Sequence, residues 1–327
     1  MSIKSVIIYL VACCIIYSLD WSIQNSYSKS DGKNGYAEDT IVYLHVLGTV
    51  QDGGSPHAGC KKACCKQLFD HPDTGRMVVS LGLIDNKHKT NYLFEATPDL
   101  PKQLKVLKKI SPFSNKEVPD AIFLTHAHIG HYTGLMYLGR EVMGAKDVKV
   151  YVLPKMKTYL ESNGPWSQLV LLHNILLQPM QFEQAVQLNS HLKVTAFQVP
   201  HRDEYSETAG FLIEGPQKKA LFIPDIDKWS KWSKNIKDEI GKVDYALVDA
   251  TFYDGNELPG RDISEIPHPF VIETMELLNS LPNEEKRKIY FIHLNHTNPL
   301  LEENSTANLT LRKSGFNVAT YELKLAL

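Results

Sequence analysis

The sequence predicts an α/β (α+β) protein in which β-sheets are covered by helices. Short apolar segments rich in β-branched and aromatic residues, such as Ile41–Leu47 and Tyr92–Ala96, alternate with amphipathic segments such as Leu100–Ile110. The chain has 327 residues, of which 43% are hydrophobic, so it is long enough to bury a sizeable core. From residue 40 onward we find no repeat, low-complexity stretch or second linker. A folded domain is therefore expected over residues 40–327.

The predicted strands share β-branched and aromatic residues and lengths of about four to eight residues. They are Ile41–Leu47, Met77–Ile84, Tyr92–Ala96, Ala121–Leu124, Val148–Leu153, Leu192–Val199, Gly210–Glu214, Ala220–Ile223, Tyr245–Val248 and Lys288–Ile292. The predicted helices have apolar residues at helical spacing. They are Leu100–Ile110, Tyr132–Met143, Lys231–Ile240, Phe270–Leu281 and Thr306–Lys313. Such a mixture of elements is typical of sheets flanked by helices.

The first forty residues differ in composition from the rest of the chain. The positively charged start, Met1–Lys4, precedes the apolar run Val6–Leu19, which is shorter than the roughly 20 residues that a membrane span needs. We expect residues 1–21 to be a signal peptide or an anchor in the membrane. In a lipid anchor, Cys13 would be the lipidated residue. A buried N-terminal helix is the alternative. Residues 22–39 have the composition of a flexible linker. We therefore expect the protein to be exported and to be periplasmic or anchored to a membrane.

The charge balance argues against one class of partner. The chain has 35 Lys and Arg and 37 Asp and Glu residues, which gives a formal net charge of −2. This balance provides no overall attraction to nucleic acid. The expected partners are a small-molecule substrate and, through the N-terminus, a membrane.

Three histidines follow the predicted strand Ala121–Leu124. His126, His128 and His131 fall within the segment HAHIGH. Side chains two residues apart in extended chain point the same way, and a third imidazole can close from the next helical turn. Because neutral imidazole nitrogen is a zinc ligand at about 2.0–2.1 Å, this spacing predicts a metal site.

The histidine cluster resembles the HxHxDH signature of the metallo-β-lactamase superfamily. Further landmarks of that superfamily follow in the same order. They are Glu95 at the end of an early strand, His201 in VPHRDE, Asp225 in LFIPDID and His293 in YFIHLNH. The resemblance implies an αββα sandwich of two mixed sheets flanked by helices.

The same resemblance implies a role for each of these residues. His126, His128 and His201 would hold a first metal. His131 and His293 would hold a second metal, and Asp225 would bridge the two. A water activated by the metals would then be the nucleophile of a hydrolase.

The sequence departs from the signature at Gly130, where the superfamily has an aspartate that ligates the second metal. Three interpretations remain: a weak second metal, a substitute ligand, or an enzyme with a single metal. Asp249 and Asp203 are the candidate substitute ligands. Zinc is the expected metal, as one or two ions in the active site, and iron or manganese are the alternatives.

Three cysteines lie close together after a glycine-rich segment, and thiolates at this spacing suit a structural zinc. A disulfide is the alternative in an oxidising compartment. The preceding VLGTVQDGG and the cysteines resemble the pyrroloquinoline-quinone biosynthesis protein B family and the cyclic phosphodiesterase of the phosphonate pathway. The second resemblance implies one structural zinc, for which His57 is a competing ligand. The implied ligands are Cys60, Cys64, Cys65 and His296.

Later segments also resemble the biosynthesis family, namely VDATFY, GRD, PHP and HLNHTNPLL. Within them, His268 precedes a predicted helix and is expected to act as an acid, a base or a phosphate contact. Together with Asp225 it is a candidate catalytic residue. Arg261 is a candidate clamp for an anion. An ordinary loop position is the alternative for both His268 and Arg261.

These observations predict a metal-dependent hydrolase that acts on a phosphodiester or a related ester. The complete set of five histidines favours working chemistry. A metal-dependent oxygenase is the first alternative, because the superfamily also hosts iron centres. A non-catalytic, zinc-stabilised binding protein is the second alternative, and Gly130 is its only support.

Overall fold

Two mixed β-sheets of seven strands each form the centre of the structure, a computed structural model that describes residues 42–327. The strands are β1 (Val42–Gly48), β2 (Ser80–Asp85), β3 (Thr90–Phe94), β4 (Ala121–Phe123), β5 (Val148–Val152), β6 (Ile175–Pro179), β7 (Ala185–Asn189), β8 (Leu192–Gln198), β9 (Ala209–Glu214), β10 (Lys219–Ile223), β11 (Tyr245–Asp249), β12 (Ile289–Ile292), β13 (Asn317–Val318) and β14 (Lys324–Ala326). The α-helices are α1 (Ala63–Asp70), α2 (Leu100–Ile110), α3 (Ile129–Tyr132), α4 (Pro154–Ser162), α5 (Trp166–Leu171), α6 (Ile236–Ile240), α7 (Val271–Leu277), α8 (Asn283–Lys286) and α9 (Thr306–Lys313).

Each sheet combines an antiparallel part with a parallel part. The first sheet has the order β14-β1-β2-β3-β4-β5-β6, and its strands run parallel from β3 to β6. The second sheet has the order β13-β12-β11-β10-β9-β8-β7, and its strands run parallel from β10 to β13. The carboxyl ends of neighbouring parallel strands meet at one edge, which is where ligands bind in open α/β sheets.

The alternation of side chains along the strands divides the core into layers. In β1, Val42, Leu44 and Val46 point into the apolar layer between the two sheets, whereas Tyr43 and Leu47 point into the layer under the helices. A third apolar layer covers the outer face of the second sheet. Helices therefore flank both sheets, which confirms the predicted αββα sandwich.

The structure corrects two predicted helices. The helix predicted at Tyr132–Met143 is wrong, because α3 ends at Tyr132 and the chain continues as a 3-10 helix over Thr133–Leu138. Gly134 packs so tightly there that a Cβ atom would lie 2.0 Å from the carbonyl oxygen of Thr97. The 3-10 helix ends at Leu138, and Gly139 is its C-cap residue.

The second correction concerns the helix predicted at Lys231–Ile240. A 3-10 turn at Trp229–Lys231 ends where the predicted helix was to begin, and within the segment only the short helix α6 forms. The side chain of Asn235 accepts a hydrogen bond from the backbone N–H of Lys237 at 3.0 Å, and this N-cap fixes the start of α6.

Several elements have no counterpart in the sequence prediction, and they include the edge strands β6 and β7 and the helices α4 and α5. The expected leader at residues 1–21, with Cys13, and the expected linker at residues 22–39 lie outside the described residues. Within residues 42–327, no helix combines the length and the apolar character that a membrane span requires.

Candidate metal centre

The ligands predicted for the two active-site metals converge on one edge of the sandwich, because most of them follow the end of a strand. His126 comes after β4, His201 after β8, Asp225 after β10 and His293 directly after β12. His128 is the N-cap residue of α3 and His131 lies within that helix. The topology thus brings together side chains that are up to 167 residues apart in sequence.

Four side chains form what we call the first group: His126, His128, His201 and Asp225. The Nε2 atoms of His126 and His201 lie 3.4 and 3.3 Å from Oδ2 of Asp225. Nε2 of His201 also lies 3.2 Å from Nδ1 of His128. A tetrahedral zinc with nitrogen ligands at about 2.0–2.1 Å separates its ligand atoms by about 3.3 Å, so the first group fits this ion.

A second group shares Asp225 with the first: Asp52, His131, Asp225 and His293. Oδ1 of Asp52 lies 3.1 Å from Nε2 of His131 and 3.3 Å from Nε2 of His293. Nε2 of His131 lies 3.8 Å from Oδ2 of Asp225. The shared carboxylate places two metal-sized groups side by side.

Buried atoms without a well-directed hydrogen bond show that the donors suit a cation. Nε2 of His126, Nε2 of His131 and Oδ1 of Asp225 are buried, and none forms a well-directed hydrogen bond among the described residues, although each has a polar atom within 3.4 Å. Burial alone would raise the pKa of Asp225, but nearby imidazoles, His201 first, hold it well below its usual value. An ionised carboxylate surrounded by imidazoles is the donor set that zinc prefers.

A second layer of polar contacts orients the imidazole rings. Thr125 lies 2.9 Å from Nδ1 of His126, Asp227 lies 3.3 Å from Nδ1 of His201, and Thr251 lies 2.9 Å from Nδ1 of His293. Oε2 of Glu95 lies 3.6 Å from Nδ1 of His131. Such contacts fix ring orientation and are worth about 10- to 100-fold in metal affinity.

Two residues at this edge adopt backbone conformations that are uncommon for side chains other than glycine. Glu95 has a φ of 72° and His293 a φ of 67°. Residues held in this left-handed region store strain of about 1–3 kcal/mol and cluster at functional sites. Both observations are consistent with a site whose geometry is enforced by the surrounding fold.

His268 lies beside the shared carboxylate rather than in either group. Its Nδ1 is 2.8 Å from Oδ2 of Asp249 and 3.1 Å from Oδ1 of Asp225. Burial alone would lower the pKa of His268, but the carboxylates of Asp249 and Asp225 raise it above its usual value. Arg261, in contrast, is exposed in the loop between β11 and α7.

Neither candidate substitute for the carboxylate missing at Gly130 belongs to the second group. The side chain of Asp203 accepts a hydrogen bond from Thr208 at 2.8 Å, and that of Asp249 contacts His268 and Thr251. The structure instead places Asp52 at this point. Two features of the sequence could have pointed to this ligand. Asp52 lies in the glycine-rich segment after β1, and Gly130 leaves the usual position without a carboxylate.

A separate cluster, which we call the cysteine group, contains Cys60, Cys64, Cys65 and His296. The sulfur of Cys64 lies 4.0 Å from that of Cys60 and 3.9 Å from that of Cys65, and all three thiols are free. Zinc–sulfur bonds of about 2.3 Å separate sulfur ligands by about 3.8 Å. The spacing therefore suits a zinc ion, and the alternative of a disulfide has no counterpart among these three cysteines.

His57, the competing ligand, contacts the cysteine group from outside. Its backbone N–H donates to the sulfur of Cys65 at 3.3 Å, and its ring centroid lies 4.4 Å from that of His296. Nδ1 of His57 lies 2.8 Å from the carbonyl oxygen of Ala58. His57 thus packs against the group without joining the set of four donors.

Comparisons with known proteins agree with this architecture. The model of the beta-lactamase superfamily domain matches residues 90–294. Coenzyme PQQ synthesis protein B of Methylococcus capsulatus is 27% identical over 316 residues, covering 88% of this chain and 100% of that protein. Zn²⁺-bound PqqB from Methylobacterium extorquens has a TM-score of 0.71 at 20% identity, covering 87% of this chain and 100% of its own. A diphosphatase from the PhnP family has a TM-score of 0.57 at 21% identity, covering 87% and 96%. The chain therefore belongs to the beta-lactamase superfamily and, within it, is similar to the PqqB proteins.

Proposed function

We propose that the protein is a zinc-dependent hydrolase that cleaves phosphodiesters or related esters. The observation that carries this proposal is the arrangement of two groups of metal-binding side chains around one shared carboxylate, Asp225. In two-metal hydrolases, ions about 3.5–4 Å apart stabilise both the attacking and the leaving oxygen. The missing aspartate at position 130 was the one argument for a non-catalytic binding protein. That argument is weakened, because Asp52 brings a carboxylate to the same place.

Each residue of the centre has a task in this proposal. The two groups would hold metal ions, which when bound would supply Lewis acidity and a nucleophilic water near neutral pH. Asp225 holds both groups in register. His268, whose Nδ1 faces Asp249, presents its Nε2 on the opposite side of the ring and there holds a proton for the leaving oxygen.

A groove beside the first group offers aromatic surface for the organic substituent of a substrate. The groove, of about 510 Å³, is lined in part by Lys155, Tyr159, Asp203, Glu204 and Tyr205. It reaches the centre through Glu204, whose carboxylate lies 3.1 Å from Nε2 of His128. The two tyrosines provide aromatic surface for such a substituent. Lys155 is the one basic side chain among the described residues that line the groove, against the carboxylates of Asp203 and Glu204. The similarity to a PhnP-family diphosphatase supports a phosphorus ester over a β-lactam.

The test combines metal content with hydrolysis in the full-length protein. We expect His126→Ala to lose the metal of the first group and to hydrolyse bis(4-nitrophenyl) phosphate at least about 100-fold more slowly than the wild type. His173→Ala, which changes an exposed histidine far from the centre in sequence, is the matched control and should change neither quantity. Unchanged metal content or unchanged hydrolysis in His126→Ala would contradict the proposal.

A PqqB-like metal-dependent oxygenase is the second candidate, since the chain is similar to a protein whose name gives it a role in synthesis and not in hydrolysis. The two candidates differ in the metal they need, since an oxygenase uses a redox-active ion such as iron. Elemental analysis of the purified protein distinguishes them. Iron in the first group, together with uptake of oxygen and no hydrolysis of esters, would favour the oxygenase.

A further inference from the structure

The segment that follows β1 is fixed against the end of β12 by backbone hydrogen bonds. The N–H of Leu294 donates to the carbonyl oxygen of Thr49 at 2.8 Å, and the N–H of Gln51 donates to that of Leu294 at 2.9 Å. Val50 bridges to Leu294 on one side and to Val78 on the other. This register places Asp52 next to His293, although the two residues are 241 positions apart.

Asp52 and Gly130 occupy one space between them. A Cβ atom on residue 130 would lie 2.4 Å from Oδ1 and 2.6 Å from Cα of Asp52. No side chain fits at position 130 while Asp52 keeps its place, because real Cβ atoms essentially never approach other atoms so closely. Gly130 therefore has two effects. It leaves the centre without a carboxylate at position 130, and it provides the space that the carboxylate of Asp52 occupies.

The side chain of Asp52 is 14% exposed and points at the imidazoles of the second group. Its Oδ1 faces Nε2 of both His131 and His293 at distances that match the spacing within the first group. Both histidines come from the set that sequence analysis assigned to a second metal. The carboxylate therefore completes a set of donors that otherwise consists of two imidazoles and Asp225.

We infer that Asp52 is the carboxylate ligand of the second metal, relocated from position 130 to the loop after β1. This inference rests on the proposed function, since it assumes that metal binds at the two groups. The loop at residues 49–54 thereby joins α3 and the segments after β10 and β12 in forming the second site.

The test compares three aspartates by isosteric substitution in the full-length protein. Asp52→Asn should lower the zinc content by one ion per chain, or weaken the second zinc at least about tenfold, because an amide is a poorer zinc ligand than a carboxylate. Asp203→Asn should leave the zinc content unchanged, because the structure places Asp203 against Thr208. Asp249→Asn is the direct competitor and should retain both ions of the centre. Zinc per chain and zinc affinity by titration are the readouts.

Gly130→Ala provides a variant that alters no ligand. Its methyl group should displace Asp52 and weaken the second zinc as Asp52→Asn does, while the zinc of the first group stays bound. Circular dichroism confirms that each variant is folded. The inference is overturned if Asp52→Asn binds zinc like the wild type, or if only Asp249→Asn loses an ion. A different result would contradict the proposed function, namely that His126→Ala keeps the metal content or the hydrolysis of the wild type.

Discussion

Oδ2 of Asp249 lies 2.8 Å from Nδ1 of His268, and the two residues stand next to the carboxylate shared by both metal groups. Oδ1 of Asp249 is engaged by the N–H and the hydroxyl of Thr251, so the carboxylate is held on both sides. A carboxylate in this position fixes the tautomer and the orientation of the imidazole, as it does in other acid–base pairs.

The first prediction follows from this pair. His268→Ala should slow hydrolysis of an alkyl phosphodiester by about 100- to 10,000-fold, because its alkoxide leaving group needs a proton. Hydrolysis of bis(4-nitrophenyl) phosphate should fall much less, because nitrophenolate leaves without one. Asp249→Asn should show the same pattern with a smaller loss. Steady-state kinetics on both substrates provide the measurement, and an equal loss on both would argue that His268 serves only the structure.

The cysteine group leads to the second prediction, since its cysteines follow the loop at residues 49–54 in sequence and His57 connects the two. His57 packs on this loop as well as on His296, because a Cβ atom on Gly53 would lie 2.3 Å from the ring of His57. Cys64→Ser should therefore lose one zinc and also weaken the zinc of the second group by about 10-fold, an effect expected for an outer contact.

Zinc titration followed by elemental analysis checks this prediction. Lys61→Ala, which changes an exposed side chain of the same segment, should leave both quantities unchanged. If Cys64→Ser loses a single zinc and the affinity of the remaining ions is that of the wild type, the two sites are independent and the prediction is wrong.

The sequence predicted much of the fold because its signals were local. The strands β1, β3 and β8 are recognisable from their own β-branched and aromatic residues, and α2 has the bounds that its apolar spacing predicted. The helix predicted at Tyr132–Met143 failed because tertiary contact decided it. Gly134 lies against the backbone of Thr97, and no pattern within the segment reports that contact.

The candidate site shows the same division between local and distant information. His126, His128 and His131 were recognised from their spacing because a single strand and turn hold all three. Asp52 was not recognised, because its approach to Gly130 depends on the pairing of the segment after β1 with Leu294 on the opposite sheet. The sequence showed both that Gly130 replaces a ligand and that Asp52 lies in a glycine-rich turn. Only the fold shows that the two residues are neighbours.

The third prediction concerns stability in mild acid. His45 on β1 is 2% exposed, and neither of its ring nitrogens has a hydrogen-bond partner among the described residues. Burial, followed by the charge of Lys324, lowers the pKa of His45 from 6.5 to about 4. Between these two values the unfolded chain takes up a proton that the folded chain does not, so stability falls as the pH drops from about 6.5 to about 4. The loss from this residue is about 3 kcal/mol.

Urea unfolding of the wild type and of His45→Leu at several pH values between 7 and 4 isolates the contribution of His45. Leucine has a similar volume and does not titrate. The free energy of unfolding should fall less steeply with decreasing pH in the variant, and other titrating groups cancel in the difference. Parallel curves would show that His45 takes up its proton equally in both states.

The fourth prediction concerns the aromatic cluster that joins the two sheets. Phe94 on β3 stacks on Phe123 of the same sheet with ring centroids 5.0 Å apart, and it meets Phe211 and Phe222 of the other sheet at 5.4 and 6.2 Å. All four rings are buried. Phe94→Ala should lower the free energy of unfolding by about 3–5 kcal/mol, because the lost ring leaves a cavity that close-packed sheets do not fill. Guanidinium unfolding measures this change.

Leu171→Ala, at a side chain exposed on α5, should alter stability by no more than about 0.5 kcal/mol. Similar small losses in both variants would mean that the cluster contributes little to the packing of one sheet on the other.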